Sequence, residues 1–181
     1  MFNSIIELVH HGASEYLPHM FRYPRNWEGA TMPKGGLWSC RTATDDWANH
    51  RDIPDNMAAR LSLGSFRFTI PEDSTLQIRT RKDIEPYIRI NHKFTEILGD
   101  TFEDVDWEAM SEEWGAVELT KEGLECDDLT SCDGHTPFYG WDVPCVLILD
   151  RGMVTPLYCL GRSGLLMPMP LSLPSGWKLI D

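Results

Sequence analysis

Short β-strand patterns separated by turns are the feature that most restricts what this chain can fold into. Residues 143–149 carry the strongest strand signal, an apolar run with one proline, and residues 5–9 form a second buried strand. Residues 66–70 and 76–80 alternate apolar and polar side chains, as half-buried strands do. Residues 154–160 are predicted to pair beside 143–149 across a tight turn.

Helical patterns are fewer and short. Residues 105–114 repeat tryptophan and methionine with the spacing of an amphipathic helix, and residues 86–99 begin with proline and end with glycine. A capping threonine and early acids predict a short helix at residues 44–50, whereas residues 13–34 predict a loop with one helical turn at most. The expected fold class is α+β, in a single domain that spans residues 1–181.

The net charge of −12 restricts the partners. An acidic surface repels phosphate backbones, so general nucleic-acid binding is disfavoured, although Arg22, Arg25 and Lys34 lie close enough in sequence to form a local basic patch. The acidic residues concentrate in the segment 100–128, which is typical of a solvated face and would also attract a basic partner. No apolar run is long enough to span a bilayer, so no membrane association is expected.

Five cysteines at irregular spacing argue against a disulfide framework and for a reducing compartment, so we expect a cytoplasmic protein. A zinc site is the alternative role for Cys126, Cys132, His135 and Cys145. Their spacing lacks the closely spaced cysteine pair of structural zinc sites, and we therefore expect no metal.

Three short motifs together predict a grip for a flat ring that carries an amide. His11-Gly12 ends the first strand, Gly36 precedes Trp38 on the second, and Trp47 follows on the next helix. A glycine lets the backbone approach a carboxamide closely, and two aromatic rings can sandwich a pyridinium. Each motif alone is weak, because tryptophans are more often core residues and a glycine pair is more often a turn.

With these motifs the chain resembles the ADP-ribosyltransferase superfamily, in the branch of diphtheria toxin and the poly(ADP-ribose) polymerases. That branch has His-Gly on its first strand, a Gly-apolar-Tyr strand, a second Tyr on the following helix and a late Glu. His11-Gly12 matches the first element, and residues 36–39 match the second with Trp38 for Tyr. Trp47 stands slightly before the usual place of the second Tyr. Phage and bacterial proteins with a Lys-Pro-x-Gly-Gly-Leu-Trp stretch are similar at residues 32–38.

The resemblance implies a fold of split, mostly antiparallel sheets with short flanking helices and an NAD cleft between them. It implies that NAD is a substrate, that His11 binds the adenosine-side ribose and that Gly12 binds the nicotinamide amide. Trp38 and Trp47 would stack on nicotinamide. Ser39, which follows Trp38 in the Gly36-Leu37-Trp38-Ser39 stretch, would support the site. His10 is the alternative to His11 if the strand register differs by one residue.

The catalytic carboxylate is the element that departs from the family pattern. The family places a glutamate on its closing strand pair, where it stabilises the oxocarbenium-like transition state. Direct alignment puts Cys145 at that position. Asp142, three residues earlier, is one replacement, and Glu118 on the preceding strand is another. Asp142 is the shorter side chain and would need a bulge or an inward fold of its loop.

The resemblance therefore implies NAD-dependent ADP-ribosyl transfer to a protein or another acceptor, with release of nicotinamide and a toxin-like role in a phage or bacterial setting. The alternative is a non-catalytic binding or inhibitor protein, for example one encoded by a phage that acts on a host protein through its acidic face. The missing glutamate favours this alternative, whereas the aromatic residues favour the enzyme. An unrelated α+β protein with accidental motifs is the third hypothesis.

Overall fold

The computed structural model describes residues 4–27, 30–44, 63–99, 101–130, 136–138, 141–160, 166–168 and 178–179. The strands are β1 (Ile5–His11), β2 (Arg25–Trp27), β3 (Ala30–Lys34), β4 (Leu37–Arg41), β5 (Ser65–Pro71), β6 (Thr75–Ile78), β7 (Ile88–Ile90), β8 (Glu103–Val105), β9 (Ala116–Leu119), β10 (Cys145–Ile148), β11 (Thr155–Pro156), β12 (Tyr158–Leu160), β13 (Leu166–Pro168) and β14 (Lys178–Leu179). The α-helices are α1 (His92–Leu98), α2 (Trp107–Glu113), α3 (Lys121–Leu124) and α4 (Asp127–Thr130).

Within the described residues, seven strands form one sheet in the order β11-β5-β1-β4-β10-β9-β6. Every pairing in this sheet is antiparallel except that of β6 with β9. The expected α+β class with mostly antiparallel strands is therefore confirmed. The expected split into two sheets around a cleft is not what this part of the chain forms. The sheet is continuous because Val146 of β10 pairs with Ser39 on one side and with Glu118 on the other.

Both faces of the sheet carry a hydrophobic core. The tryptophan face includes Val9, Trp38, Cys40, Val117 and Leu147. The phenylalanine face includes Ile6, Leu8, Phe66, Phe68 and Val146. Because β10 lies in the middle and is covered on both sides, all four of its residues are buried, which explains its unbroken apolar run.

Helix α2 confirms the amphipathic pattern predicted at residues 105–114. The Asp106 carboxylate accepts a hydrogen bond from the Ala109 N–H at 3.0 Å and caps the helix. Trp107 and Met110 are fully buried against the tryptophan face. The helix predicted at residues 86–99 is shorter than expected, since α1 begins only at His92. Residues 88–90 pair with β8 instead, so tertiary strand pairing overrides the local helical pattern.

Two segments differ from the predicted arrangement. Residues 13–34 contain the β2–β3 hairpin, as well as one 3-10 turn at Pro18–Met20. The segment after residue 150 does not pair beside β10. Instead β11 pairs with β5, and the Leu157 N–H donates to the Arg67 carbonyl at 2.9 Å. The edge of β10 that β11 would have used is occupied by β9, a partner that is distant in sequence.

The tail also forms strands, because β12 pairs with β13 and with β14 in a small separate sheet. No helix in the described ranges is long and apolar enough to cross a bilayer. The helix predicted at residues 44–50 lies outside the described residues from position 45 onward.

Candidate functional site

The candidate site lies at one end of two interior strands of the sheet, where β1 ends and β4 begins. Leu8 pairs with Arg41 and Val9 with Cys40, where the register between the two strands ends. His11 and Trp38 each lie two residues beyond the Val9–Cys40 pair, and residues two apart on a strand point to the same side. His11 is buried. Directly opposed residues on antiparallel strands share a face. His11 and Trp38 therefore both lie on the tryptophan face, at the end of the sheet where the two glycine motifs meet.

The neighbouring histidine points to the other face. The His10 ring lies 5.2 Å from the Phe66 ring, on the phenylalanine face, and its Nδ1 lies 2.6 Å from the Trp38 carbonyl oxygen. That imidazole therefore bridges β1 to the backbone of β4 and stiffens the strand end. Of the two histidines considered from the sequence, His11 is the one that shares a face with the Trp38 ring.

Both motif glycines make close contacts inside the protein. The Gly12 N–H donates to the Gly64 carbonyl at 3.0 Å, and the Gly36 N–H donates to the Arg22 carbonyl at 2.7 Å. Gly36 has a φ of +71°, and a Cβ there would lie 2.4 Å from Leu147 Cδ1. Neither N–H is open to a ligand in this arrangement, so these glycines serve turns and close packing.

Trp38 is half-buried and belongs to an aromatic cluster on the tryptophan face. Its ring meets the Trp141 ring edge-on at 4.7 Å, and Trp141 stacks parallel to Trp107 at 5.9 Å. The Trp141 Nε1–H is buried and has no hydrogen-bond partner among the described residues. One side of Trp38 is therefore covered by the core. Trp47, the other predicted stacking residue, lies outside the described residues.

Ser39 and Glu118 lie on the opposite side of the sheet from the Trp38 ring. Ser39 is fully buried and its Oγ donates to the Val146 carbonyl at 3.0 Å. Glu118 receives two hydrogen bonds from Arg41, from Nε at 2.5 Å and from Nη2 at 2.8 Å. The structure therefore does not bring these two predicted site residues to the Trp38 ring, because neighbouring residues of a strand alternate between faces.

The remaining carboxylate, Asp142, is next in sequence to a member of the aromatic cluster. It is exposed and directly follows Trp141, whose ring contacts Trp38. Cys145, which aligns with the family's glutamate, is buried in the core of the tryptophan face. Of the two sequence-predicted carboxylates, Asp142 is the exposed one, whereas Glu118 is buried and paired with Arg41.

Sequence reasoning missed Arg41, which borders a cavity of about 290 Å³ on the face opposite the Trp38 ring. The hydrogen bonds from Arg41 to Glu118 raise the pKa of the guanidinium, against a smaller opposing effect of burial. The residues that line the cavity are Arg41, Thr44, Gln77, Glu118, Thr120, Lys121, Glu122, Pro144, Cys145 and Val146. Strand alternation alone gives the face of Arg41, but its pairing with Glu118 requires knowledge of the strand order.

In the described part of the chain, no group of three or more His, Cys, Asp or Glu side chains is arranged to hold a metal ion. Cys40 and Cys145 are buried, and Cys126 is partly buried. Comparison of the chain with protein-family models, with curated proteins and with solved structures found no match.

Proposed function

We propose that this protein binds NAD where β1 ends and β4 begins, and that it transfers the ADP-ribosyl group of NAD to an acceptor. One observation carries the proposal: by strand alternation His11 and Trp38 both lie on the tryptophan face of the neighbouring strands β1 and β4, and the closing strand β10 is the next strand beyond β4. These three strands carry the motifs on which the family resemblance rests, and in the sheet they are adjacent.

In the proposed reaction the bond between the nicotinamide nitrogen and the ribose carbon breaks. The bonding electron pair leaves with nicotinamide, whose positive charge is thereby neutralised. The acceptor, a protein or a water molecule, forms a new bond to the same ribose carbon and loses a proton. A carboxylate aimed at the ribose stabilises the positive charge that develops there. Asp142 is the carboxylate that we assign to this task, because Glu118 lies on the other face and is paired with Arg41.

A second candidate function is a non-catalytic binding or inhibitor protein of the same fold class. The buried Cys145 at the position of the family's glutamate favours it, because a thiol in the core supplies no charge to a transition state. A protein of this kind would bind NAD or another ligand and would not break the bond between nicotinamide and ribose.

The test measures NAD-dependent thermal stabilisation together with nicotinamide release from NAD and fluorescence from etheno-NAD. Binding at a ligand concentration of 100 times Kd stabilises the fold by about 2.7 kcal/mol, which is readily seen as a shift in Tm. We expect Asp142→Asn to abolish nicotinamide release and to leave the NAD-induced Tm shift unchanged. Trp38→Phe should reduce the Tm shift, since it keeps the packing against Trp141 but offers a smaller stacking surface.

Glu118→Gln is the control for the carboxylate, because it changes an acid on the opposite face. It also weakens the pair with Arg41, so its nicotinamide release is measured at a temperature at which both proteins are folded and should then equal that of the parent protein. A Tm shift without nicotinamide release in the parent protein supports the non-catalytic candidate. If the parent protein shows neither a Tm shift nor nicotinamide release, NAD is not the ligand of this site.

A further inference from the structure

The β2–β3 hairpin presents one exposed face that carries two cations and two large apolar side chains. We name it the hairpin face, and its members are Arg25, Trp27, Met32 and Lys34. All four are exposed, with 54% of Trp27 and 38% of Met32 accessible to solvent. An exposed indole on a small two-stranded sheet is an unusual use of a residue that normally packs in a core.

Asn26 fixes the orientation of this face. Its side-chain amide donates to the Val105 carbonyl at 3.3 Å and accepts the Trp107 N–H at 2.8 Å, so it is turned toward the start of α2. Because successive side chains of a strand point to opposite sides, Arg25 and Trp27 project away from α2 into solvent. The hairpin face is therefore held in place by the body of the protein.

The charges on the hairpin face repel each other. Arg25 pairs directly with Lys34 across the hairpin, and like charges in directly opposed positions destabilise a strand pair. Among the described residues no carboxylate lies within ion-pair distance of either cation. Lys34 Nζ lies 6.0 Å from the centre of the Trp27 ring. An anion bound between the two cations would relieve the repulsion, next to a flat aromatic surface.

We infer that the hairpin face binds single-stranded nucleic acid. Each nucleotide supplies an anionic phosphate for Arg25 and Lys34 and a planar base for the exposed ring of Trp27, so one ligand satisfies both features. The carboxylates of an acidic peptide would neutralise the cations but leave the indole uncovered. A nucleic-acid duplex is rigid and an anionic membrane is broad. Either would also come close to the acidic remainder of a protein whose net charge is −12 and would be repelled by it.

This inference concerns binding alone and does not depend on the proposed reaction with NAD. It is compatible with the general repulsion of nucleic acid by the acidic protein, because a flexible strand can contact one small face and leave the rest in solvent. DNA and RNA share the phosphate and base chemistry that the hairpin face recognises, and the two are compared directly in the test.

The test is fluorescence anisotropy of labelled oligothymidylate and oligouridylate titrated with the full chain at low ionic strength. We expect saturable binding that weakens as salt is added. Trp27→Ala should weaken it at least about fivefold, the lower limit for loss of one stacked base. Arg25→Gln with Lys34→Gln should weaken binding and reduce the slope of log K against log salt by about 1.4, or about 0.7 for each phosphate contact.

The matched controls remove the same number of positive charges and an exposed aromatic side chain elsewhere. Lys82→Gln with Lys93→Gln removes the same charge from two exposed positions, and Tyr158→Ala removes a side chain that is 44% exposed. These controls should bind like the parent protein. Thermal unfolding of the hairpin variants should be unimpaired, because Trp27 is exposed and removal of the charges relieves repulsion.

Three results would overturn the inference. One is the absence of saturable binding to either oligonucleotide. Another is an equal loss of affinity in the control and hairpin variants, which would indicate general electrostatic attraction. The third is binding of labelled polyglutamate or of phosphatidylserine vesicles that is as tight as oligonucleotide binding and insensitive to Trp27→Ala.

Discussion

Arg41 and Glu118 form a two-pronged ion pair that reaches across β10, on the face of the sheet opposite the Trp38 ring. The Glu118 side chain is 8% exposed, whereas 38% of the Arg41 side chain is accessible to solvent. A glutamate considered from the sequence as a catalytic group is thus bound on both oxygens by an arginine from the strand on the far side of β10. In this arrangement the Glu118 side chain links β9 to β4, and both members of the pair line the cavity.

Arg41→Met should destabilise the fold, because it leaves a nearly buried carboxylate without its cation. Loss of one partner from a buried pair costs about 3–5 kcal/mol, and solvent reaching this pair lowers our expectation to about 2 kcal/mol. Urea unfolding measures the change in free energy. Arg22→Met, at an exposed arginine without an ion pair among the described residues, should change stability by less than about 0.5 kcal/mol. Equal effects of the two substitutions would contradict the importance of the pair.

Gly36→Ala should be more costly than Gly99→Ala. Both glycines have positive φ, +71° and +82° respectively, so each alanine bears a left-handed backbone penalty of about 1 kcal/mol. The new methyl at Gly36 would also lie 2.4 Å from Leu147 Cδ1, whereas nothing lies within 4 Å at Gly99. The extra overpacking should add about 1–3 kcal/mol in urea unfolding. A Gly36 variant as stable as the Gly99 variant would show that β10 adjusts without cost.

Asp104 should make stability depend on pH in a definite direction. Burial raises the pKa of this carboxyl above its ordinary value of 3.8, although Arg89 partly opposes the shift. The unfolded chain therefore ionises first, and the contribution of Asp104 to stability falls as pH rises from about 3.8 through the folded pKa. Asp104→Asn removes this dependence. The unfolding free energy of the variant minus that of the parent should increase with pH over this window, and a decrease would contradict the assignment.

Asn26→Ala should destabilise the junction between the hairpin and α2. The substitution removes two hydrogen bonds and leaves the Trp107 N–H without the acceptor it uses here, at an expected cost of about 1–3 kcal/mol. Asn26→Asp keeps an acceptor for that N–H and should recover part of the loss. Guanidinium unfolding compares the two variants. A loss that is equal in both would show that the donated bond to Val105 dominates.

Local patterns predicted much of the fold correctly. Strands β1, β4, β5, β9 and β10 and helix α2 were all expected near their observed positions. Each has a local hydrophobic pattern, either periodic or an unbroken apolar run, that can be recognised without knowing which element it packs against. The errors, at residues 13–34, 86–90 and 154–160, fall where pairing with another strand, and not the local pattern, decides the conformation.

The candidate site divides in the same way. The sequence indicated the strand that carries His11 and the strand that carries Trp38, but it gave no means of ranking Asp142 and Glu118 as carboxylates. That ranking depends on strand order and on alternation between faces, which together set the Glu118 carboxylate against Arg41 on the face opposite the Trp38 ring.

The sequence by itself determined the α+β class, the acidic charge and the strongest strands, because hydrophobic period and composition are local properties. Only the tertiary structure decided that β10 lies between β4 and β9 and that Arg41 binds Glu118. It also decided that Trp27 stands exposed between cations. Those relationships join residues far apart along the chain, and their energies arise only when the packed sheet brings the partners together.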